Sequence, residues 1–334
     1  MRLAIDAMGG DHAPREVVSG VLAAASNIGG ELILVGQPSL IQEHLPRSVP
    51  SNVHIHPATE VIAMHESPMD AVRRKRDSSL AVAVRLVEEG ECDGVVSAGN
   101  TGAATALAKL RWKSIPGVHR PAIATQIPSS KGKFVLLDSG ATVDCSAADL
   151  LDFAVMGSAY ATAVMGIRDP RVGLLNIGEE PGKGNALTKK AHELLARHLN
   201  TFIGNVEGKH LFSGKVDVVV CDAFVGNIVL KTGEAVAEMI MSMIKDSLPK
   251  NFLLRLPLPL LLGGLVGLKR NLDYSEYGGA PLLGVNGVFI ICHGRSDSRA
   301  ICNAVQQAEA AVKNGLIDRI GAMVNSMQLE ATHA

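Results

Sequence analysis

The chain has 334 residues, of which 47% are hydrophobic, 19% charged and 3% aromatic, and its formal net charge is -1 at pH 7. A chain of this length and apolar content can bury a large core, which excludes an intrinsically disordered protein. The near-neutral charge and scarce aromatic rings exclude broad nucleic-acid binding, which needs a basic face and stacking side chains.

The five cysteines are widely spaced and form no Cys-x-x-Cys pair. An odd number at such spacing predicts reduced thiols in a cytoplasmic protein rather than a disulfide framework. The N-terminal run Met1-Arg-Leu-Ala-Ile-Asp6 is interrupted early by Asp6, so we expect no signal peptide.

Short apolar runs alternate with helical segments along the N-terminal half. The predicted elements are, in order, a strand at 3–5, a helix at 14–26, a strand at 31–35, a helix at 38–45, a strand at 53–56, a helix at 79–89, a strand at 95–96 and a helix at 103–110. Pro14 suits the first turn of the first helix.

The same alternation continues to the C-terminus. Strands are predicted at 121–127, 133–137, 171–177, 202–206 and 216–221, with two extended pieces within 282–296, and helices at 146–165, 186–199, 228–247, 298–313 and 316–327. Repeated strand–loop–helix units favour an α/β fold, a mainly parallel but mixed sheet in three α/β/α layers. We expect one continuous unit over 1–334.

The loop Ser97-Ala-Gly-Asn-Thr-Gly102 joins a predicted strand to a helix. Such a join points unpaired backbone N–H groups at one place, which is how many proteins hold a phosphate. Gly99 and Gly102 permit a close approach to the backbone, and Asn100 and Thr101 offer side-chain donors. Alternatively, the loop is an ordinary turn in which Asn100 or Thr101 caps the helix.

The segment Asp6-Ala-Met-Gly-Gly-Asp-His-Ala-Pro14 places two carboxylates and an imidazole just past the end of a strand. Ligands of open α/β sheets collect at the carboxyl ends of strands, so this loop is a candidate site element. In the alternative interpretation Asp11 only caps the following helix and His12 is a solvated loop residue.

Four further strand ends carry small polar loops. They are Asp138-Ser-Gly-Ala-Thr142, the stretch from Asn176 through Lys183 to Asn185, Asp222-Ala-Phe-Val-Gly-Asn227, and the loop that contains His293. Lys183 and Asn185 are placed to meet an anion, although the spacing is not that of a P-loop. If several of these loops meet in space, they form one anion-lined cleft.

A leucine-rich stretch covers residues 252–268, within a hydrophobic excursion from the fold at about 248–280. It is short for a transmembrane helix and contains Arg255, Pro257 and Pro259, so we do not expect it to span a bilayer. Its leucines and flanking cations suit either contact with a membrane surface or a subunit-interface or core segment. The residues assigned to this contact are Leu253, Leu254, Leu258, Leu260, Leu261 and Leu262.

Two basic clusters lie before and after the Ser97–Gly102 loop, one at Arg73–Arg76 and one around Lys109–Lys113. The Arg73–Arg76 cluster is either a solvated helix end or a docking patch for an acidic partner or for anionic lipid headgroups, and the second cluster is a further candidate for docking an acidic partner. Cys221 ends an apolar strand, and we interpret it as a packed core residue rather than an acyl-carrying nucleophile.

Taken together, the polar loops resemble those of the PlsX family of phosphate acyltransferases of bacterial phospholipid synthesis. The motifs occur in the expected order from end to end: Asp6–Pro14, Ser97–Ala103, Asp138–Ala141, Asn176–Glu180, Lys183–Asn185, Asp222–Asn227, Gly284–Gly287 and His293–Gly294.

The resemblance implies transfer of a long-chain fatty acyl group from acyl carrier protein to inorganic phosphate, giving acyl phosphate. It also implies a fold like that of isocitrate dehydrogenase and phosphotransacetylase, with a cleft between two intertwined lobes. A homodimer and peripheral contact with the inner face of the cell membrane are further expectations. There the product would pass to a membrane glycerol-3-phosphate acyltransferase.

Phosphate is already an anion at neutral pH, so the site must hold and aim it more than deprotonate it. On this basis the candidate catalytic residues are Asp11, His12, Asn100 and Lys183. The candidate phosphate- and substrate-binding residues are Ser97, Gly99, Thr101, Gly102, Asp138, Asn176, Asn185, Asp222, Asn227 and His293. We expect no cofactor, unless Asp6, Asp11, Asp138 and Asp222 converge to hold Mg²⁺.

Two other functions compete with this one. An NAD- and metal-dependent dehydrogenase can share the same broad fold without a dinucleotide fingerprint. A non-catalytic scaffold that binds lipid or carrier protein is the other, although a scaffold does not require so many polar strand ends.

Overall fold

The computed structural model describes residues 1–247 and 278–333, with side chains to 244 and from 278 to 327. Its strands are β1 (Arg2–Asp6), β2 (Glu31–Gly36), β3 (Val53–Pro57), β4 (Gly94–Ser97), β5 (Ala122–Ile123), β6 (Thr125–Ser129), β7 (Gly132–Leu137), β8 (Val172–Asn176), β9 (Phe202–Glu207), β10 (Val218–Val220), β11 (Ala280–Leu283) and β12 (Val288–Ile291). Its α-helices are α1 (Arg15–Ala25), α2 (Pro38–Gln42), α3 (Pro68–Arg74), α4 (Ser79–Glu88), α5 (Thr101–Trp112), α6 (Ala147–Ala163), α7 (Ala186–His198), α8 (Ala223–Ser247), α9 (Ser298–Lys313) and α10 (Leu316–His333).

Within these ranges the strands form two sheets, and most neighbouring strands are parallel. The first sheet has the order β3-β2-β1-β4-β12-β11-β5 and the second β6-β7-β10-β8-β9. Antiparallel pairs occur where β11 meets β12 and β5, and where β6 meets β7. The predicted α/β class and mainly parallel pairing are confirmed, with the strands divided between two sheets.

The predicted strand at 121–127 is wrong as a single element. Its first part is β5, which pairs with β11 in the first sheet, and its second part is β6, which pairs with β7 in the second. Ala124 lies between the two parts, and its N–H donates to the carbonyl of Pro281 at 3.0 Å. No glycine or proline stands at the crossing, so the local sequence gives no sign of the break.

Helix α3 was not predicted, because residues 64–76 show a basic cluster and no apolar periodicity. In the structure Pro68 starts this helix, and Arg73 and Arg74 lie in its last turn, where cations favour the negative end of the helix dipole. The helix packs against α5, where its Ala71 is buried. Tertiary contact, rather than local periodicity, therefore explains this element.

Helix α6 lies at the centre of the molecule, as its apolar sequence predicts, with Phe153 and Tyr160 fully buried. The Tyr160 hydroxyl accepts hydrogen bonds from Gln126 Nε2 of β6 at 2.6 Å and from Gln307 Nε2 of α9 at 2.5 Å. Burial raises the pKa of Tyr160 to about 12, so the hydroxyl stays neutral. Since α9 packs on β12 and β4, this hydroxyl connects elements of both sheets.

In the parts of the chain that the structure describes, no helix combines the length and apolarity needed to cross a bilayer. The predicted contact residues between Leu253 and Leu262 lie outside the described residues.

Replacement of Tyr160 by Phe tests whether this hydroxyl stabilises the contact between β6 of the second sheet and α9, which packs on the first. Removing the shared acceptor leaves two amide donors without their partner, so we expect Tyr160→Phe to lower the free energy of unfolding by about 1–3 kcal/mol. Ser130→Ala, which removes an exposed hydroxyl, is the control and should change it by less than about 0.5 kcal/mol. Urea titration measures both values, and equal stability of Tyr160→Phe and wild type would contradict the assignment.

Candidate active site

The carboxylate of Asp6 organises the carboxyl end of the first sheet. Asp6 is buried at the end of β1, and its oxygens accept hydrogen bonds from Ser79 Oγ at 2.6 Å and from Ser97 Oγ at 2.7 Å. The backbone N–H of Met8 donates to the same group at 3.3 Å. Burial raises the pKa of Asp6, although each of these donors favours the ionised form. One carboxylate thus connects the ends of β1 and β4 to the start of α4.

Two glycines let the loops after β1 and β4 touch. A Cβ atom on Gly9 would lie 2.4 Å from Asp6 Oδ2 and 2.7 Å from the backbone nitrogen of Gly99. The Gly99 N–H donates to Ser97 Oγ at 3.0 Å. Close packing of the two backbones therefore requires glycine at position 9.

The loop after β12 lies beside the loops after β1 and β4. β1 and β12 each pair in parallel with β4, so the carboxyl ends of the three strands adjoin. The backbone N–H of Asp11 donates to the carbonyl of Gly294 at 2.7 Å, while the side chains of Asp11 and His12 are exposed. The predicted convergence of strand-end loops therefore occurs for three loops of the first sheet.

Asn100 holds the helix start and the preceding segment of chain. Its Oδ1 accepts from the N–H of Ala103 at 3.0 Å, which makes it the N-cap of α5. Its Nδ2 lies within 3.1 Å of the carbonyl oxygens of Met64 and Glu66, and donates to both. The residue is buried and its amide bonds protein groups, so the structure gives it a positioning role. Direct contact of Asn100 with substrate stays a prediction.

The first turn of α5 faces solvent at Thr101 and Gly102, both of which are exposed. N–H groups in the first turn of a helix have no intrahelical acceptor, and the helix dipole makes this end positive. The loop is therefore a helix start that Asn100 caps, as the alternative interpretation expected, with an exposed first turn, and phosphate binding there stays a prediction.

The second sheet carries a comparable cluster at the ends of β7 and β10. The buried Asp138 carboxylate accepts from the N–H groups of Ile123, Gly140, Ala141 and Thr142 at 2.7–3.0 Å. Burial raises the pKa of Asp138, and these four donors offset part of that effect. Asp138 thus shapes the loop that follows it.

Helix α8 begins beside Asp138. The Asp222 side chain accepts from the N–H of Val225 at 2.8 Å, and a Cβ on Gly226 would lie 1.9 Å from the Asp138 carbonyl oxygen. Cys221 is buried there, and burial raises its pKa well above the ordinary thiol value. This confirms Cys221 as a packed residue, since a thiol kept protonated is a poor nucleophile. Asn227 is exposed one turn further along α8.

The loop after β8 is held mainly by its own groups. Asn176 Nδ2 donates to the Lys183 carbonyl at 3.1 Å, and the side chain of Asn185 caps α7 through the N–H of Thr188 at 2.9 Å. The Lys183 side chain is exposed. Since β8 and β7 both pair in parallel with β10, this loop lies at the same sheet edge as Asp138. Lys183 therefore belongs to the second sheet, whereas Asp11 belongs to the loops of the first.

Cations and carboxylates both lie near the loop after β12, since Lys231, Arg295, Glu234 and Asp11 all act on His293. Partial burial, together with the nearby cations of Lys231 and Arg295, lowers the pKa of His293. The neutral ring accepts a hydrogen bond at Nδ1 from the Arg295 N–H at 3.2 Å. Lys231 belongs to α8, so cations from both halves of the molecule face this loop. Lys231 itself pairs with Glu234 at 2.8 Å, so the charge around this loop is mixed.

A cavity of about 550 Å³ connects the two clusters. Thr101 and Gly102 line one side and Gly140 and Ala141 the other. The loops after β4 and β7, on different sheets, therefore face each other across one cleft.

The carboxylates of Asp6 and Asp138 already accept hydrogen bonds from protein groups at both oxygens. These donors compete with a cation, and the Mg²⁺ site stays a prediction. Over the described residues, potential metal ligands cluster at His119, Asp149 and Asp152, whose ligand atoms lie within 4.8 Å of one another. Asp149 closes a capping box there and Asp152 accepts from His119 Nδ1 at 2.7 Å, so structural bonds account for this group.

Sequence reasoning missed the role of Ser79 and treated Asp6 as one carboxylate of the candidate site loop and as a conditional metal ligand, not as the group that joins the loops. The partners Asp6 and Ser79 are 73 positions apart, and no local pattern connects them. A serine at the first position of a helix is usually assigned to capping, and here Ser78 performs that function instead.

Comparison with known proteins identifies the class. A family model described as fatty acid synthesis protein matches residues 1–319. The phosphate acyltransferase of Desulfitobacterium hafniense (strain DSM 10664 / DCB-2) is 50% identical over 322 residues, which cover 96% of each chain. That of Pelotomaculum thermopropionicum is 49% identical over 331 residues, 99% of this chain and 97% of the relative. The chain is an acyl-transferring enzyme, and it belongs to the phosphate acyltransferase family.

Solved structures support the fold. A phosphotransacetylase from Streptococcus pyogenes aligns with a TM-score of 0.64 and 17% identity over 94% of each chain. A 4-hydroxythreonine-4-phosphate dehydrogenase from Klebsiella pneumoniae aligns with a TM-score of 0.55 and 14% identity, over 93% of this chain and 97% of that one. At such identities the likeness shows the shared fold alone, and the predicted resemblance to this fold group is confirmed.

Gly9→Ala tests the contact between the first two loops. The added methyl group would collide with Asp6 and with the Gly99 backbone, so we expect kcat/KM for acyl transfer to phosphate to fall on the order of 10–100-fold. Gly208→Ala is the matched control, because nothing lies within 4 Å of a Cβ there. Thermal unfolding of both variants separates a displaced loop from a lost fold. Wild-type kinetics for Gly9→Ala would contradict this close packing.

Proposed function

We propose that the protein transfers a long-chain fatty acyl group from acyl carrier protein to inorganic phosphate, giving acyl phosphate for phospholipid synthesis. The observation that carries this proposal is the open first turn of α5, which Asn100 caps and which borders an apolar cavity. In this proposal the helix start binds an anion, and the adjacent cavity accommodates a hydrocarbon chain. A dehydrogenase has weaker support, because its likeness to this chain extends only to the fold.

In the proposed reaction a phosphate oxygen attacks the thioester carbonyl carbon. A C–O bond forms, the C–S bond breaks, and the carrier-protein thiolate leaves and takes up a proton. The N–H groups of Thr101 and Gly102 hold the phosphate at the positive end of α5. Preorganised donors and cations that face the developing oxyanion supply the largest electrostatic contribution in such reactions.

The exposed side chains divide the remaining roles. Asp11 or His12 accepts or supplies the proton, and Lys183 and His12 offset the negative charge of phosphate or of the oxyanion. Asp6, Asn100 and Asp138 hold the loops in place, as their hydrogen bonds to backbone and hydroxyl groups favour.

Acyl carrier protein, an acidic partner, docks over the basic helices α3 and α5 in this proposal. Arg73, Arg74 and Arg76 are exposed at the end of α3, and Lys109 is exposed on the adjacent α5. Lys75 is engaged instead with Glu66 at 2.5 Å. Lys109 lines the cavity, and α3, which carries the arginines at its end, packs on α5, which favours one docking face rather than two.

The proposal includes a homodimer that contacts the cytoplasmic face of the cell membrane peripherally. Helix α8 exposes an apolar series that a soluble monomer seldom leaves in water, with Phe224 61%, Met239 54% and Met243 61% exposed. A second copy of the chain covers this face in our proposal. Membrane contact through residues 253–262, and hand-off to a membrane glycerol-3-phosphate acyltransferase, stay predictions.

The reaction itself is tested with hexadecanoyl carrier protein and labelled inorganic phosphate. We expect a hydroxylamine-sensitive acyl phosphate whose formation depends on phosphate. Lys183→Met should raise KM for phosphate about tenfold, whereas Lys215→Met, at the opposite end of the second sheet, should not. Absence of product from folded protein across several chain lengths, with Mg²⁺ supplied, would overturn the proposal.

The dimer is tested by light scattering after size-exclusion chromatography. A charge in an apolar interface is costly to bury, so Met239→Glu should shift the wild-type dimer toward monomer. Glu238→Gln, a neighbouring change on the same helix, should leave the mass unchanged. A wild-type monomer at micromolar concentration would contradict the assignment of α8.

A further inference from the structure

The cavity beside the first turn of α5 is lined mainly by aliphatic groups. Its walls come from α3, from α5 and from the loop after β7. The residues that line it from α3 and α5 are Pro68, Met69, Thr101, Gly102, Thr105, Ala106, Lys109 and Leu110. Those from the loop after β7 are Gly140 and Ala141. Its volume of about 550 Å³ lies within the range of about 300–1,000 Å³ that small-molecule sites occupy.

The apolar groups in this cavity are unusually accessible. Met69 is 44% exposed and Leu110 is 58% exposed, although both side chains gain by burial. Thr101 and Leu110 are nine residues apart on α5, so the wall extends about 14 Å along the helix at a rise of 1.5 Å per residue. A two-carbon acyl group needs far less length than this. No aromatic ring is among the lining residues, so a stacked nucleobase has little to bind.

Both walls of the cavity are held in place by contacts within the protein. A Cβ on Gly102 would lie 2.5 Å from Pro68 Cγ, so glycine at position 102 permits the close packing of α3 on α5. On the opposite side the Asp138 carboxylate accepts from the N–H groups of Gly140 and Ala141. The cavity is thus preformed rather than assembled around a ligand, which lowers the entropic cost of binding.

We propose that this cavity binds the alkyl chain of the acyl donor, and that Ala106 and Leu110 set the preferred chain length. This inference rests on the proposed function. The thioester carbonyl lies at the Thr101–Gly102 end, next to the phosphate, and the methylene groups follow α5 toward Leu110. Met69 adapts to the chain because its thioether side chain is flexible and unbranched.

Ala106→Phe tests the proposal, because a ring at this half-buried position fills the cavity. Each methylene group displaced from an apolar site costs about fourfold in affinity. We therefore expect the ratio of kcat/KM for hexadecanoyl carrier protein to that for butanoyl carrier protein to fall at least tenfold. Ala23→Phe, which adds the same ring to an exposed position on α1, should leave this ratio unchanged.

Leu110→Ala provides a second test that does not crowd the cavity. Removing its side chain shortens the apolar wall, so the ratio of kcat/KM for hexadecanoyl to butanoyl carrier protein should fall. The control is Ile203→Ala on β9, an exposed residue outside the cavity, which should not lower this ratio. Equilibrium binding of a fluorescent hexadecanoic acid measures the same site without turnover, and both cavity variants should weaken it.

The outcomes separate the two proposals. If wild-type protein makes acyl phosphate but the ratio and the probe affinity of both cavity variants match wild type, the chain-binding site is refuted and the reaction stands. If wild-type protein makes no acyl phosphate from either donor, the proposed function fails. In that case probe binding that Ala106→Phe weakens would leave the cavity as an alkyl-chain site, and binding unaffected by it would refute the site as well.

Discussion

The arrangement of the candidate site depends on one buried carboxylate. Asp6 accepts hydroxyl hydrogen bonds from Ser79 and Ser97, and through them fixes the end of β1 against the end of β4 and the start of α4. A buried carboxylate is costly unless donors surround it, so these contacts are strongly specified. The Gly9–Gly99 approach, the capped start of α5 and the adjoining loop after β12 all build on this junction.

Asp138 is a second buried carboxylate at a strand end, in the second sheet, and it accepts hydrogen bonds from different donors. Where Asp6 binds hydroxyl groups and a backbone N–H, Asp138 binds four backbone N–H groups and so folds the loop that follows it. The two carboxylates stand at strand ends on opposite sides of the cleft. Both act on the site by holding its loops in place, and the exposed Asp11, His12 and Lys183 side chains stay the candidates for contact with substrate.

Much of this could be predicted from the sequence, because strand ends and helix starts leave local signals. The loops at Ser97–Gly102 and at Asp138–Thr142 lie where small polar residues follow apolar strands. Long-range features left no such signal: no glycine or proline marks the crossing between sheets at Ala124 within the run at 121–127. The Asp6–Ser79 bond and the α3–α5 wall likewise depend on tertiary packing, which local periodicity does not encode. The catalytic roles of Asp11, His12 and Lys183 stay predictions.

The side chain of Asn100 ties the start of α5 to the carbonyl groups of Met64 and Glu66, just before α3 begins. These bonds, together with the packing of α3 on α5, hold the two helices against each other on one side of the cavity. The chain crosses from the first sheet to the second next to Ala124, and the neighbouring N–H of Ile123 donates to Asp138. The carboxylate that shapes one wall of the cavity therefore also holds the point at which the chain changes sheet.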